Sequence, residues 1–591
     1  MTFKNLSHYI DEYKKIQSAS ADNTMKKFKV AVLSSSTIKG LKEVLTVKCH
    51  DLGLFPEILL GEYNQYNQEI LDDESKLYRF EPNLVVLFID TRALLGDVFF
   101  DYYTLSAQDQ KCLPALKKEY LDSLIARMKF KLKAKIIIHN FELPCTTPLG
   151  ILENKQALGL VEFIETLNGD LRDGFKSDSQ VFVFDYNSFL SNIGKREAFN
   201  YKMYYLADIK IDLSYLPALA DQYLAYIKPL ISMTKKCIVL DLDNTLWGGI
   251  VGEDGAEGVK LGPTPEGRPF MEFQKYILSL FSRGVILAVN SNNNLDDVLE
   301  IFREHPYMIL KEEHFASMKI NWNGKVANMK AISEELNIGL DSFVFLDDDK
   351  FNREMIKSAL PQVKVVNLPE DPSLYLEVIT QLDDFNTFQI TGEDMKKGQM
   401  YAQQKKREEF CKSAYDIKAY LKGLNIITTI QKANKFNVPR ISQLTQKTNQ
   451  FNLTTRRYLE EEIKQFSDST DCIVFSIKVE DRFGDNGVTG AAIVKKKAKE
   501  WIVDSFLLSC REIGRGVEEV MLAHIFEEAK KEGIGRIIGE FIPTKKNEPA
   551  KDFYQKSGFI LTEKVGDMEL WSRDVAGGFP YPEFIEVIKA S

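Results

Sequence analysis

The chain has 591 residues, of which 44% are hydrophobic and 27% charged, and a formal net charge of -9. That length exceeds what one core supports, so three or four domains are expected, and the acidic balance excludes a dedicated nucleic-acid binder, which needs a basic excess against phosphates. The opening MTFKNLSHYIDEYKK mixes charges and lacks the apolar stretch of a signal peptide, and no apolar run approaches the ~18 residues of a membrane helix. Seven scattered cysteines form no CxxC pair, which suits reduced thiols. A cytoplasmic protein with no nucleic-acid or membrane partner is therefore expected.

From about Phe28 to Ile227, the runs KVAVLSS, NLVVLFID, AKIIIHN and QVFVFD alternate with helical patterns. Continuous apolar runs ending in polar residues predict parallel strands buried on both faces. The first ends in Ser34-Ser35-Ser36-Thr37. An esterase could place a serine nucleophile there, but neither a GxN turn nor a late DxxH dyad is present, so the serines are read as helix caps. His139 and Asn140 end another strand, without a serine to pair with.

The alternation returns from about Thr234 to Asp384 in CIVLDLD, GVILAVNS, SFVFLDD and VKVVNLP. In an open parallel sheet, chemistry gathers at the carboxyl ends of the strands. One strand ends in Asp241-Leu-Asp243-Asn-Thr245, a second in Asn290-Ser291-Asn292-Asn293 and a later one in Asp347-Asp348-Asp349. NWNGK supplies Lys325. A carboxylate nucleophile, an acid to protonate the leaving oxygen, a hydroxyl and an ammonium for phosphate oxygens, and an acidic pair for a hard cation together suit phosphoryl transfer.

Glu393 to Leu424 is charged and predicted to be a helical connector. Beyond Ile426 the pattern becomes α+β. In CIVFSIKVE, Ile473, Phe475, Ile477 and Val479 share a face. WIVDSFLLS leads into Arg511-x-x-Gly514-Arg515-Gly516 and then a helix with the stripe Val517, Val520, Met521, His524 and Ile525. A glycine-bearing loop at a helix N-terminus can approach an anion; His524 on the stripe is expected in the core. LTQKTNQFNLTTRR, Leu444 to Arg457, has no amphipathic stripe and is either a solvated surface or a loop contacting substrate or carrier.

The order DxDxT, Ser, Lys, Asp-Asp is the signature of the haloacid dehalogenase (HAD) superfamily. KCIVLDLDNTLWGGIVGEDG, FQKYILSLFSRGVILAV, INWNGKVANM and GLDSFVFLDDDKFNRE resemble the FkbH-like family, the subfamily IIIC group of HAD proteins. The resemblance implies an α/β multidomain chain: an inactive SGNH-hydrolase-like doubly wound domain over 1–230, available as a docking surface; a HAD Rossmann-like parallel-sheet phosphatase domain over 234–390; a connector over 391–425; and a GNAT-like α+β domain over 426–591. It implies that Asp241 is the nucleophile and Asp243 the acid/base, that Ser291 and Lys325 contact phosphate, and that Asp241, Asp243 through its carbonyl, Asp347 and Asp348 hold Mg2+. It further implies removal of phosphate from a small acid such as 1,3-bisphosphoglycerate and transfer of the glyceryl group to an acyl carrier protein, usually through an enzyme thioester.

The family often reads Cys-Ser-Lys-Asn where this chain has Asn290-Ser291-Asn292-Asn293, so the thiol beside the phosphate site is missing. Cys237 lies four residues before Asp241, about 13 Å away along a strand, and is expected to be a buried small hydrophobe; Cys510 precedes the glycine loop. NEPAKDFYQKSGF resembles the later GNAT motif, which implies coenzyme A or a phosphopantetheine arm at Arg511, Gly514, Arg515, Gly516, Asn547 and Tyr554. Two other readings stand beside acyl transfer: a simple small-molecule phosphatase whose flanking domains only recognise, and a non-catalytic scaffold for a carrier protein or coenzyme A.

Overall fold

Val30, Ala31, Val32 and Leu33 are all fully buried, as a strand covered on both faces requires. In the computed structural model, which describes residues 5–18, 25–396, 400, 407, 410 and 416–590, they lie in β1 (Lys26–Ser34). β1 joins β2 (Leu54–Leu60), β3 (Leu84–Phe88), β4 (Lys135–His139) and β5 (Val181–Phe184) in a sheet ordered β2-β1-β3-β4-β5, parallel throughout. The chain divides into two compact units, Met1–Ile227 and Lys228–Ser591, and this sheet belongs to the first.

The serines after β1 do not cap a helix. The next helix spans Leu41–Asp51, and its N-cap is Gly40 with φ 97° and no side-chain cap bond. Instead Ser35 Oγ donates to Asp90 Oδ2 at 2.8 Å. Asp90 and Glu142 both pair with the buried Lys210.

The second unit contains two sheets. β6 (Cys237–Leu240), β7 (Ile286–Ser291), β8 (Phe315–Ile320), β9 (Phe343–Asp347) and β10 (Lys364–Asn367) form a parallel sheet ordered β10-β9-β6-β7-β8. The chain enters at the middle strand, builds one side, then crosses to build the other. A reversal of that kind leaves a crevice at the carboxyl end of the central strands. Leu240 is in register with Val289 on one side and Leu346 on the other, so Asp241 follows directly between the ends of β7 and β9. All four residues of β6 are buried, and burying such aliphatic side chains stabilises by roughly 1.5–3 kcal/mol each.

The C-terminal sheet is eight-stranded: β11 (Ile426–Lys432), β12 (Cys472–Asp481), β13 (Gly484–Lys496), β14 (Glu500–Leu508), β15 (Arg536–Phe541), β16 (Ile560–Val565), β17 (Met568–Asp574) and β18 (Ile585–Lys589), ordered β16-β17-β15-β14-β13-β12-β11-β18. It is antiparallel except for the parallel pairs β14–β15 and β11–β18. The helix Val517–Lys531 covers it and buries more than the expected stripe, adding Leu522, Ala523, Phe526 and Ala529. His524 is in the core, 4.9 Å from the Phe475 ring. Of the expected connector, Gly392–Met395 and Ile417–Gly423 are helical; 397–399, 401–406, 408–409 and 411–415 lie outside the described residues. Among the described residues no helix is long and apolar enough to cross a membrane.

Candidate active site

Asp241 and Asp347 stand at the ends of adjacent strands, and Lys325 reaches both. Its Nζ lies 2.7 Å from Asp347 Oδ2 and 2.7 Å from Asp241 Oδ1. Lys325 thus bridges the two carboxylates. Lys325 begins the helix Lys325–Leu336 after Gly324, whose φ of 87° favours glycine. The lysine is 1% exposed. Burial alone would lower its pKa; the two carboxylates outweigh that and raise it, so the ammonium persists.

Asp348 completes the cluster. Ligand oxygens of Asp241, Asp347 and Asp348 all lie within 4.8 Å of one another. Burial first, then repulsion from Asp241, pushes the Asp347 carboxyl up to about 6; burial, Asp241 and Asp347 do the same to Asp348. Three carboxylates against one ammonium leave an excess of two negative charges, which a divalent cation cancels. The donors are all hard oxygens, so this set fits Mg2+. The pair is held from behind: Asp349 N donates to Asp347 Oδ1 at 2.8 Å, Thr245 Oγ1 accepts from Asp348 N at 3.2 Å, and Arg353 Nη1 donates to the carbonyls of Asp347 and Asp348.

The Asp243 carboxylate is not among these clustered oxygens. Its Oδ1 accepts from Trp247 Nε1 at 2.9 Å and Val251 N at 3.2 Å, and its Oδ2 accepts from Asn293 Nδ2 at 3.0 Å. Asn293 also donates to Ser291 Oγ at 3.1 Å, so one amide couples the acid/base candidate to the candidate phosphate hydroxyl. Asn292 Oδ1 is buried with no hydrogen-bond partner among the described residues. Asn244 turns the chain behind Asp243 with φ 52°, its Oδ1 accepting from Gly249 N. Tyr375 Oη donates to the Asn244 carbonyl. All four expected phosphate-handling residues, Asp241, Asp243, Ser291 and Lys325, thus meet at this edge.

Comparison with known proteins agrees with the geometry. Residues 29–228 match the family described as FkbH, N-terminal domain. The N-terminal part of the Bacteroides fragilis protein BF1531, containing a phosphatase domain and complexed with Mg, is 30% identical in sequence. The match has a TM-score of 0.60 and covers 66% of this chain and 100% of that one. This chain belongs to the FkbH-like HAD family. Its HAD-type domain is phosphatase-like, and the Mg-bound relative agrees with the Mg2+ inferred from the donor set. No curated protein matches the sequence. Ribosomal-protein-S18-alanine N-acetyltransferase from Escherichia coli (14% identity, TM-score 0.21, 25% of this chain and 94% of that one) and Ard1 from Thermoplasma volcanium (16%, 0.21, 25% and 97%) also align, at scores too low to bear on activity.

In this FkbH-like chain the thiol question resolves locally. Asn290 is fully buried; its Nδ2 donates to the Lys325 carbonyl at 2.9 Å and its Oδ1 accepts from Asn328 Nδ2 at 3.2 Å. It braces the start of the lysine helix. Cys237 is buried at the far end of β6, and burial pushes its thiol well up. Cys510 is partly buried, and its carbonyl accepts from Asn337 Nδ2.

The expected coenzyme A residues do not form an open anion site. Arg515 is committed to Glu512 (2.6 Å) and to Asp481, which also pairs with Arg407 (2.7 Å). Gly514 N donates to Glu518 Oε1 at 3.1 Å; burial pushes this carboxyl up to about 7, and it takes the N–H that an anion would use. Gly514 and Gly516 do take positive φ, 76° and 83°. Arg511 Nη1 contacts Met400 Sδ. Asn547 serves a turn, its Oδ1 accepting from Thr544 N. Tyr554 is 1% exposed, and its ring would collide with any Cβ at Gly539. These residues do not fit coenzyme A.

Trp247 and Asn293 stood inside motifs already visible in the sequence, but no spacing rule signals that they hold Asp243. Arg353 likewise stood inside GLDSFVFLDDDKFNRE, and only the fold turns its helix back onto the acid pair.

Proposed function

We propose that this chain is a Mg2+-dependent phosphatase acting on a phosphorylated small acid of the 1,3-bisphosphoglycerate type. The supporting observation is the cluster of Asp241, Asp347 and Asp348 with Lys325 between two of them. Asp241 attacks phosphorus in line, forming an aspartyl phosphate, while Asp243 gives its proton to the departing oxygen. Asp243 then takes a proton from water, which attacks phosphorus and returns Asp241 as phosphate leaves. Ser291 and Lys325 hold the phosphate oxygens through both steps. Asp241, Asp347 and Asp348 would hold Mg2+, which would supply the positive charge that lets an anionic phosphate approach a carboxylate.

Handing the glyceryl group to an acyl carrier protein extends this reading. With Asn290 braced against Lys325 and Asn328, the accepting thiol is the carrier's own: its thiolate attacks the C1 carbonyl carbon of the acyl phosphate, and the C1 phosphate leaves as inorganic phosphate. The attack of Asp241 on phosphorus is confined to the C3 phosphate ester, so no acyl-enzyme forms at this site. The test is to incubate the protein with Mg2+ and 1,3-bisphosphoglycerate, with and without a carrier protein, following phosphate release and the masses of both proteins. Phosphate release that Asp241→Asn abolishes supports the phosphatase; a glyceryl adduct on the carrier alone supports the extension. A glyceryl adduct on the enzyme contradicts the direct route, and no release across a panel of phosphorylated acids contradicts the phosphatase.

A further inference from the structure

β14 and β15 run parallel and are paired only from Glu500 opposite Arg536 to Val503 opposite Gly539. Beyond that point they diverge, and diverging strands bare backbone N–H and C=O groups to each other. An extended, amide-bearing arm could pair with such edges as an added strand, with its anionic end at the glycine loop that follows β14. A pantetheine arm has that chemistry.

That path is already filled. Leu453 N donates to Phe506 O at 3.0 Å, Leu508 N to Phe451 O at 2.9 Å, and Ile542 N to Leu453 O at 2.8 Å. Asn452 bridges Leu507 in antiparallel sense. Side chains lock the segment in: Asn547 Nδ2 donates to Asn452 O at 3.0 Å, and Thr454 Oγ1 to Asp504 O at 2.9 Å. Phe451, Asn452, Leu453 and Thr454 are between 0 and 3% exposed. Phe451 packs 5.3 Å from the Phe553 ring and 6.1 Å from Phe506. Within Leu444–Arg457, the stretch expected to be a solvated surface or a contact loop, Leu444–Lys447 ends the helix Val438–Lys447 and Phe451–Thr454 is a buried wedge bridged to β14 at Asn452.

We infer that the C-terminal domain accepts neither coenzyme A nor a carrier's pantetheine arm, because Phe451–Thr454 occupies the strand gap and Glu518 takes the Gly514 N–H of the loop beside it. An incoming arm would have to break both the strand pairing and the apolar packing of Phe451 and Leu453, and its phosphates would meet Glu518. The inference does not depend on the phosphatase reading.

The experiment uses the full chain. Coenzyme A and acetyl-coenzyme A are titrated by calorimetry up to about 1 mM, a range that detects even weak sites. Hydrogen exchange is followed at the amides of Leu453, Leu508 and Ile542 with and without ligand. The expected result is no saturable binding and equal protection of the three amides in both conditions. Saturable binding of either ligand overturns the inference. Loss of protection at those amides on adding ligand also overturns it, since it means that the wedge gives way.

Discussion

Two parallel sheets in this molecule bury a lysine between two carboxylates at their carboxyl edges, and the two clusters differ in their balance of charge. After β1, β3 and β4, Lys210 pairs with Asp90 and Glu142, and Ser35 Oγ, Arg92 N and Ala93 N all donate to Asp90. Burial would push Asp90 up, but Lys210 outweighs it and holds the carboxyl below its ordinary value. In the HAD domain Lys325 faces Asp241 and Asp347 in the same way, but Asp348 adds a third carboxylate, and Asp347 and Asp348 are pushed up to about 6. The first cluster is satisfied from within and acts as a lock. The second is left short of positive charge, and that shortage is what recruits a cation.

The sharpest test of this contrast is to remove each nucleophile-side group in turn. Asp241→Asn should lower phosphate release by at least about a thousandfold, read in a steady-state phosphate assay, with thermal stability retained. Next come the lysines. Lys210→Met leaves buried carboxylates unpaired and should cost about 3–5 kcal/mol of stability, which Mg2+ does not restore. Lys325→Met should also destabilise the metal-free protein, and Mg2+ should recover much of that loss. Denaturant midpoints with and without Mg2+ distinguish the two, and equal Mg2+ responses would erase the comparison.

A third expectation concerns pH. Asp347 and Asp348 hold their protons up to about 6 in the folded metal-free chain, against 3.8 for the ordinary carboxyl. The folded state therefore binds more protons than the unfolded state between those values, and the contribution of these groups to stability is lost as pH rises from about 4 to about 6. Stabilisation by Mg2+ should grow over the same interval and level off above it, as followed by thermal midpoints with Mg2+ or chelator. Asp90 has the opposite sign: its contribution is present above the ordinary carboxyl value and is lost as pH falls through its lowered one.

The smallest effect is expected at Trp247. Trp247→Phe removes one donor from Asp243, worth about 1–1.5 kcal/mol, so kcat should fall about tenfold while the Mg2+ midpoint stays put. A change in Mg2+ affinity instead would mean that the indole supports the metal cluster.

Much of this was legible because a parallel strand buried on both faces writes itself as an unbroken apolar run, and catalytic acids follow such runs directly. CIVL, ILAV and FVFL were readable for that reason. β2 was not: Pro56 interrupts it, which is tolerated because β2 is an edge strand. β8, FASMKI, an edge strand of the HAD sheet, has partly buried Met318 and Lys319 and lacks the apolar run. The serines after β1 misled because Asp90, 55 residues on, claims Ser35. The wedge at Phe451–Thr454 was invisible for the same reason: four residues with no periodicity are buried only because two distant strands part around them.

The most direct measurement is to quench the protein during turnover with radiolabelled substrate and Mg2+, digest it, and locate the label. Label on the peptide carrying Asp241, absent from Asp241→Asn and discharged as phosphate on further incubation, is the predicted result. Undiminished phosphate release by Asp241→Asn, or label on another residue, would contradict the assignment of Asp241 as the nucleophile.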